Sequence, residues 1–259
     1  MVAIKTNIAH RSNYGSKRNT STIKYIVIHY TANDGDTDEA NANYFKGANR
    51  KASAHYFVDD NSITRSVYDN YIAWSVGGSK YSNCSKTGGG KLYRICTNTN
   101  SISIEMCDTK KDGKYAASQK TLENTYDLVV KLMKQYDIDI DHVIRHFDVT
   151  GKSCPAYLVN DTKWKQFKEE VMEVYNGKKY SGEFPDLPAR GYFKVGDKGE
   201  EVKKLQKFLN WYGNYKLVVD GELGAKSQTA VKDFQTKEGL TADGLFGKSS
   251  LNKAKQVRK

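Results

Sequence analysis

Residues 145–155 read R-H-F-D-V-T-G-K-S-C-P, and the rest of the chain is read outward from them. His146 and Cys154 stand eight positions apart, with Lys152 between them. Neutral imidazole and thiolate are the protein ligands that zinc prefers. Gly151 and Pro155 are turn residues, so the segment can fold back and bring both ligands to one point. A third ligand must come from elsewhere. The best candidate is His29, at the end of the apolar run 23–30, I-K-Y-I-V-I-H-Y. Two imidazoles and one thiolate leave the fourth tetrahedral position open, which is the pattern of a catalytic zinc site rather than a structural one.

The run carrying His29 is β-branched and aromatic and is expected to be a buried strand, with His29 at its C-terminal end. Thr37 or Asp38 can cap a short helix carrying Ala40, Tyr44 and Phe45. Residues 53–67 form two extended segments around the turn 59–62, a hairpin pattern. Tyr71–Gly78 puts Trp74 beside glycines, which suits a groove wall or a packed loop. Residues 79–100 are rich in Ser, Gly, Asn and Lys and read as a long loop. Residues 101–107, S-I-S-I-E-M-C, alternate: Ile102, Ile104 and Met106 face one side and Glu105 the other, either at a working site or on a solvated edge. Residues 118–136 are helical by the spacing of Leu122, Tyr126, Val129, Val130, Met133 and Tyr136, with Ser118 as N-cap. A second amphipathic helix over 161–175 closes the first domain, 1–175.

Residues 176–191 hold two of the three prolines and three glycines and read as a linker. The remainder, 192–259, contains an internal echo: D-G-E-L-G-A-K-S begins at Asp220 and D-G-L-F-G-K-S-S at Asp243. Three short helices tied by Asp-Gly loops are expected there, without a catalytic set, so this part reads as a binding module.

The net charge is +11. Residues 192–259 carry 14 Lys or Arg against 8 Asp or Glu, which makes the C-terminal part the more basic per residue. A basic surface attracts nucleic acid, anionic lipid or the anionic polymers of a cell wall. No zinc-finger spacing, Arg-rich recognition helix or RNA-binding signature is present, which argues against nucleic acid. No apolar run is long enough to span a bilayer. The N-terminus lacks the features of a secretory signal, so synthesis in the cytoplasm is expected. Cys84, Cys96 and Cys107 are expected to be free thiols, although Cys84 and Cys96 flank a Gly-rich piece and could pair outside the cell. Oligomeric state is not legible.

Four motifs together resemble the zinc-dependent N-acetylmuramoyl-L-alanine amidases of the phage-lysozyme and peptidoglycan-recognition superfamily. They are I-V-I-H-Y-T-A at 26–32, S-A-H-Y-F-V at 53–58, S-I-S-I-E-M at 101–106 and the stretch 145–155, in family order. The resemblance implies an α/β fold, a mixed central sheet flanked by helices, with zinc at one end of a groove. It places His29, His146 and Cys154 as zinc ligands, Glu105 as the catalytic carboxylate and Lys152 as the family lysine. His55 matches a recurrent family His and is expected to be structural or groove-lining; Trp74 is a further groove candidate. Ala54 stands where one branch has a catalytic Tyr, and Ser75 where many relatives have His. Residues 193–255 resemble the three-helix peptidoglycan-binding domain of wall hydrolases. The implied activity is hydrolysis of the bond between N-acetylmuramic acid and L-alanine by an endolysin acting on the bacterial wall. A bacterial autolysin and a non-catalytic peptidoglycan-recognition protein are the alternatives.

Overall fold

The computed structural model describes residues 2–177 and 179–257. The chain divides into two compact units, Met1–Tyr175 and Asn176–Lys259.

The first unit is built on a six-stranded mixed sheet. Its strand order is Ile4–Thr6, Ile63–Arg65, Tyr56–Val58, Ser101–Met106, Tyr25–Tyr30, Val143–Arg145. Ile63–Arg65 and Tyr56–Val58 pair antiparallel as a hairpin; the other pairings are parallel. Asp59 closes the hairpin, its Oδ1 accepting from the backbone N–H groups of Asn61 and Ser62. Parallel strands need cover on both faces, which explains the β-branched run ending at His29. One face packs Ile26, Ile28, Ile102, Ile104 and Val143 against helix Gln119–Tyr136 and helix Asp161–Asn176 through Leu128, Val129, Leu132, Trp164 and Phe167. Ser118 caps the first of these helices by accepting from Thr121 N. Val27 and Ile144 turn to the other face, where Val76, Cys96 and Val149 cover them.

The Glu105 strand is not a solvated edge. It lies between the His29 strand and the hairpin, and Ser101 and Ser103 on its polar face are buried. Ser103 Oγ and N meet the Nδ1 of buried His55 at 3.2 and 3.1 Å, so the small polar residues of this face pack against other polar groups rather than water.

The second unit is a bundle of helices Glu200–Gly213, Ala225–Lys237 and Lys248–Ala254, with a two-residue strand pair, Tyr192–Phe193 against Phe246–Gly247. Phe208, Phe234 and Phe246 are fully buried at its centre. Each Asp-Gly loop is clamped by a buried glutamine from the preceding helix. Gln206 donates to Asp220 Oδ1 and the Glu222 carbonyl and accepts from Gly221 N. Gln235 does the same with Asp243, Leu245 and Gly244. Gly221 and Gly244 take φ near +80°, which suits a residue without Cβ.

The stretch 176–191, expected as a linker, belongs to the second unit. Within it, Tyr180, Phe184 and Leu187 pack on the core of the second unit, and Asp186 N donates to Glu201 Oε2 at 2.6 Å. Prolines and glycines break regular structure there, but the aromatic residues between them have apolar surface to bury. Cys84, Cys96, Cys107 and Cys154 are buried, and none is in a disulfide.

Candidate metal centre

Parallel register assembles the site. His29 stands opposite Glu105 in the sheet, and Ile28 opposite Arg145, so His146 follows at the same C-terminal edge. His146 opens a short helix, His146–Thr150, that Gly151 ends at φ +84°. The chain then folds back, Phe147 N donating to the Cys154 carbonyl at 2.9 Å. A side chain on Gly151 would collide with Cys84 Sγ.

His29, His146 and Cys154 each offer one ligand atom, and these atoms all lie within 4.8 Å of one another. Cys154 Sγ is 3.7 Å from His29 Nδ1. Tetrahedral zinc with bonds of about 2.3 Å to sulfur and about 2.0–2.1 Å to nitrogen sets that edge at roughly 3.6 Å. The donor set therefore fits the ion.

The polar accounting points the same way. Buried side-chain atoms without a hydrogen-bond partner, among the described residues, include His29 Nε2, both ring nitrogens of His146 and Glu105 Oε2. Such atoms normally find partners, and a cluster of them marks a place built for something other than packing. Burial drives the electrostatics. It holds His29 well below the imidazole range, with His146 and Lys152 adding repulsion. Burial, then Lys152, lowers His146 to about 4. Both rings are thus neutral and able to ligate. Burial, then Glu105, pushes the Cys154 thiol up to about 12, and burial raises Glu105 to about 8 against the opposing pull of Lys152. Glu105 Oε1 lies 3.9 Å from His29 Nδ1. That approach is not an ion pair, because burial holds both partners in their neutral forms. A divalent cation would reverse these preferences, ionising the thiol and the carboxyl.

Two residues with no role assigned from the sequence set the loop. Arg145, 5% exposed, donates to the carbonyls of Leu158 and Val159 and binds Asp148 and Asp161. One guanidinium thus spans the loop from before His146 to after Cys154. The signal was in the stretch 145–155 itself: an Arg and an Asp three positions apart flank the ligand His. Residues 79–100, read as a loop, contain only short turns, including the one-turn helix Cys84–Thr87. They are fastened to the loop between His146 and Cys154 by Tyr81 N→Thr150 O, Gly90 N→Phe147 O and Leu92 N→Asp148 O, each 2.8–2.9 Å.

The other sequence candidates separate. Lys152 is exposed, and its charge acts on His29, His146, Glu105 and Cys154. His55 is 1% exposed, and its ring nitrogens lie within 3.2 Å of Ser103, Arg18 and the Tyr71 carbonyl. These contacts engage both of its ring nitrogens. Trp74 is half-buried, with its Nε1 beside Gly15.

Residues 19–157 match the family model described as "N-acetylmuramoyl-L-alanine amidase", and residues 198–253 match "Putative peptidoglycan binding domain". The chain is 32% identical over 242 residues to a probable N-acetylmuramoyl-L-alanine amidase of Bacillus licheniformis, covering 89% of this chain and 66% of that one. It is 30% identical over 272 residues to the N-acetylmuramoyl-L-alanine amidase CwlA of Bacillus subtilis (strain 168), covering 93% of each. The chain thus spans a little under two thirds of the first relative's length and nearly all of the second's. The solution structure of the PlyG catalytic domain superposes with a TM-score of 0.53 at 28% identity, covering 69% of this chain and 99% of that domain. Family match, relatives and fold agree, and the chain belongs to the N-acetylmuramoyl-L-alanine amidase family.

Proposed function

We propose that the chain is a zinc-dependent N-acetylmuramoyl-L-alanine amidase that cleaves the amide joining N-acetylmuramic acid to L-alanine in peptidoglycan. The observation that carries this reading is the convergence of His29, His146 and Cys154 beside Glu105 at one end of the sheet. An amide carbonyl is a poor electrophile, so hydrolysis needs polarisation and an activated water. Zinc, when bound by the three ligands, supplies Lewis acidity and lowers the pKa of water to about 7.

The chain's own residues do the rest. Glu105 takes the proton of the attacking water and passes it to the leaving nitrogen. Its side chain is 20% exposed, enough for substrate to reach it and little enough to strengthen its charge interactions. Lys152 reaches in from the exposed loop to meet the oxyanion. Arg145 and Asp148 hold the ligand loop in place. Possession of the cysteine ligand and of Lys152 disfavours a purely recognising role.

The second unit is proposed to hold the enzyme on peptidoglycan, aided by its basic balance toward anionic wall polymers, and the setting is that of an endolysin acting at the bacterial wall. Linking binding to catalysis raises local enzyme concentration. No helix among the described residues is long and apolar enough to cross a membrane. The test is digestion of purified peptidoglycan with and without a chelator. New amino groups without new reducing sugars, abolished by chelation and restored by zinc, are expected. Release of reducing ends instead would overturn the assignment.

A further inference from the structure

Arg145 holds the two ends of the ligand loop, before His146 and after Cys154. The middle of the loop, where Lys152 stands, is held by a different part of the chain. Lys152 is exposed, and the hydrogen bonds it makes among the described residues are backbone ones: its N–H donates to Thr150 Oγ1 at 3.3 Å and its carbonyl accepts from Cys154 N at 2.7 Å. A lysine ammonium rides on a flexible four-carbon stem. Where it can reach is therefore set by the backbone at 150–152 and by whatever fixes that backbone.

Segment 81–90 fixes it. The Thr150 carbonyl accepts twice from this segment, from Tyr81 N at 2.8 Å and from Cys84 Sγ at 3.5 Å. Gly90 N donates to the Phe147 carbonyl at 2.9 Å. Glycines let the two backbones meet. A Cβ on Gly89 would lie 2.8 Å from Gly151 Cα and from the Phe147 ring. A Cβ on Gly90 would lie 2.8 Å from Cys84 Sγ, and one on Gly151 closer still. The sulfur thus fills the room that Gly90 and Gly151 leave by lacking side chains. Cys84, Gly89, Gly90, Thr150 and Gly151 are all buried. A joint packed this closely has no slack, so a displacement on one side is passed to the other.

We propose that the joint of Tyr81, Cys84 and Gly89 against Thr150 and Gly151 positions Lys152, holding its ammonium where the oxyanion forms. This rests on the proposed role of Lys152 in meeting that oxyanion. None of the three ligand atoms comes from 81–90, so what the segment supplies is placement rather than a bond to the ion. A misplacement of about 1 Å can cost up to about a hundredfold in rate. The oxyanion exists only along the reaction path, so the effect falls on turnover rather than on binding.

The experiment is steady-state kinetics on a soluble muramoyl-peptide, with zinc content and thermal midpoint measured on each variant. Gly89, unlike Gly90 and Gly151, does not take a positive φ, so Gly89→Ala presses on Gly151 without straining its own backbone. It is expected to lower kcat about tenfold with KM within about twofold and zinc at full stoichiometry. Cys84→Ala empties the room between Gly90 and Gly151 and is expected to act alike. Cys84→Ser keeps a donor for the Thr150 carbonyl and is expected to recover part of that loss. The deciding comparison is made in a Lys152→Met background. There the ammonium being placed is gone, so Gly89→Ala and Cys84→Ala should each change kcat by less than about twofold. Equal fold-losses in the two backgrounds, wild-type kcat in both single variants, or a loss that tracks zinc content would each overturn the proposal. Where Gly89→Ala fails to fold, Cys84→Ala and Cys84→Ser carry the same comparison. Lys152→Met alone separates the two levels. Wild-type turnover in it removes the oxyanion reading of Lys152, whereas a loss of about 10²-fold that multiplies with those of Gly89→Ala and Cys84→Ala removes only the positioning role.

Discussion

The metal end of the first unit and the Asp-Gly loops of the second bury polar groups to similar depth and treat them in opposite ways. Gln206 and Gln235 are each 2% exposed, and each amide both donates and accepts, closing its loop completely. His29 and His146 are buried too, at 2% and 6% exposed, yet both keep ring nitrogens without partners. A closed network spends its hydrogen bonds on shape. An open one leaves donor and acceptor capacity for a ligand. The contrast locates chemistry in the first unit without reference to any relative.

The largest expected break comes from Cys154→Ser. Hard oxygen replaces soft sulfur, so metal analysis should show zinc lost and hydrolysis abolished, while the second unit unfolds as before. Retained zinc at full stoichiometry would mean that the trio is not the ligand set. Next is Glu105→Gln, which should keep zinc and fold yet lose about 10²- to 10⁴-fold in kcat. Lys152→Met should cost about 10²-fold in kcat with a small change in KM, as for loss of one oxyanion donor. In the other region, Gln206→Leu removes the partner of Gly221 N, Asp220 and the Glu222 carbonyl. Denaturation should show the second unit destabilised by about 2 kcal/mol with hydrolysis of soluble fragments unchanged.

The smallest effect is one of pH on chelator-treated protein. Glu105 is raised from 4.5 to about 8, so the folded chain keeps a proton that the unfolded chain releases. That contribution is complete below pH 4.5 and is lost as pH rises toward 8. His146 is lowered from 6.5 to about 4, so its contribution is complete above pH 6.5 and is lost as pH falls toward 4. Thermal midpoints across this range should therefore decline on both sides, and Glu105→Gln should flatten only the alkaline side. An unchanged alkaline decline would place its origin elsewhere.

Much of this was legible beforehand because it depends on local periodicity. The run ending at His29, the alternation around Glu105 and the helix capped by Ser118 all follow from spacing. What spacing left open has a common cause, which is polar residues that pack. The face of Ser101, Ser103 and Glu105 was open between a working site and a solvated edge; in the central strand Ser103 meets the His55 ring and Ser101 donates to the Thr97 carbonyl. His55 was read as structural or groove-lining, and a lone histidine gives no sign of Arg18, 37 positions away, at its ring. Gln206 and Gln235 were invisible since glutamine on a helix ordinarily faces water. Composition does not show the packing within 176–191, where turn formers surround Tyr180, Phe184 and Leu187 and these three lie on the core of the second unit.

Arg145 carries a consequence for how the ion is taken up. Because one guanidinium joins Asp148, Asp161 and the carbonyls of Leu158 and Val159, the segment bearing two of the three ligands is a finished socket before any ion arrives. Loading should then be a single bimolecular capture, with no coupled folding and no heat-capacity signature of newly hidden surface.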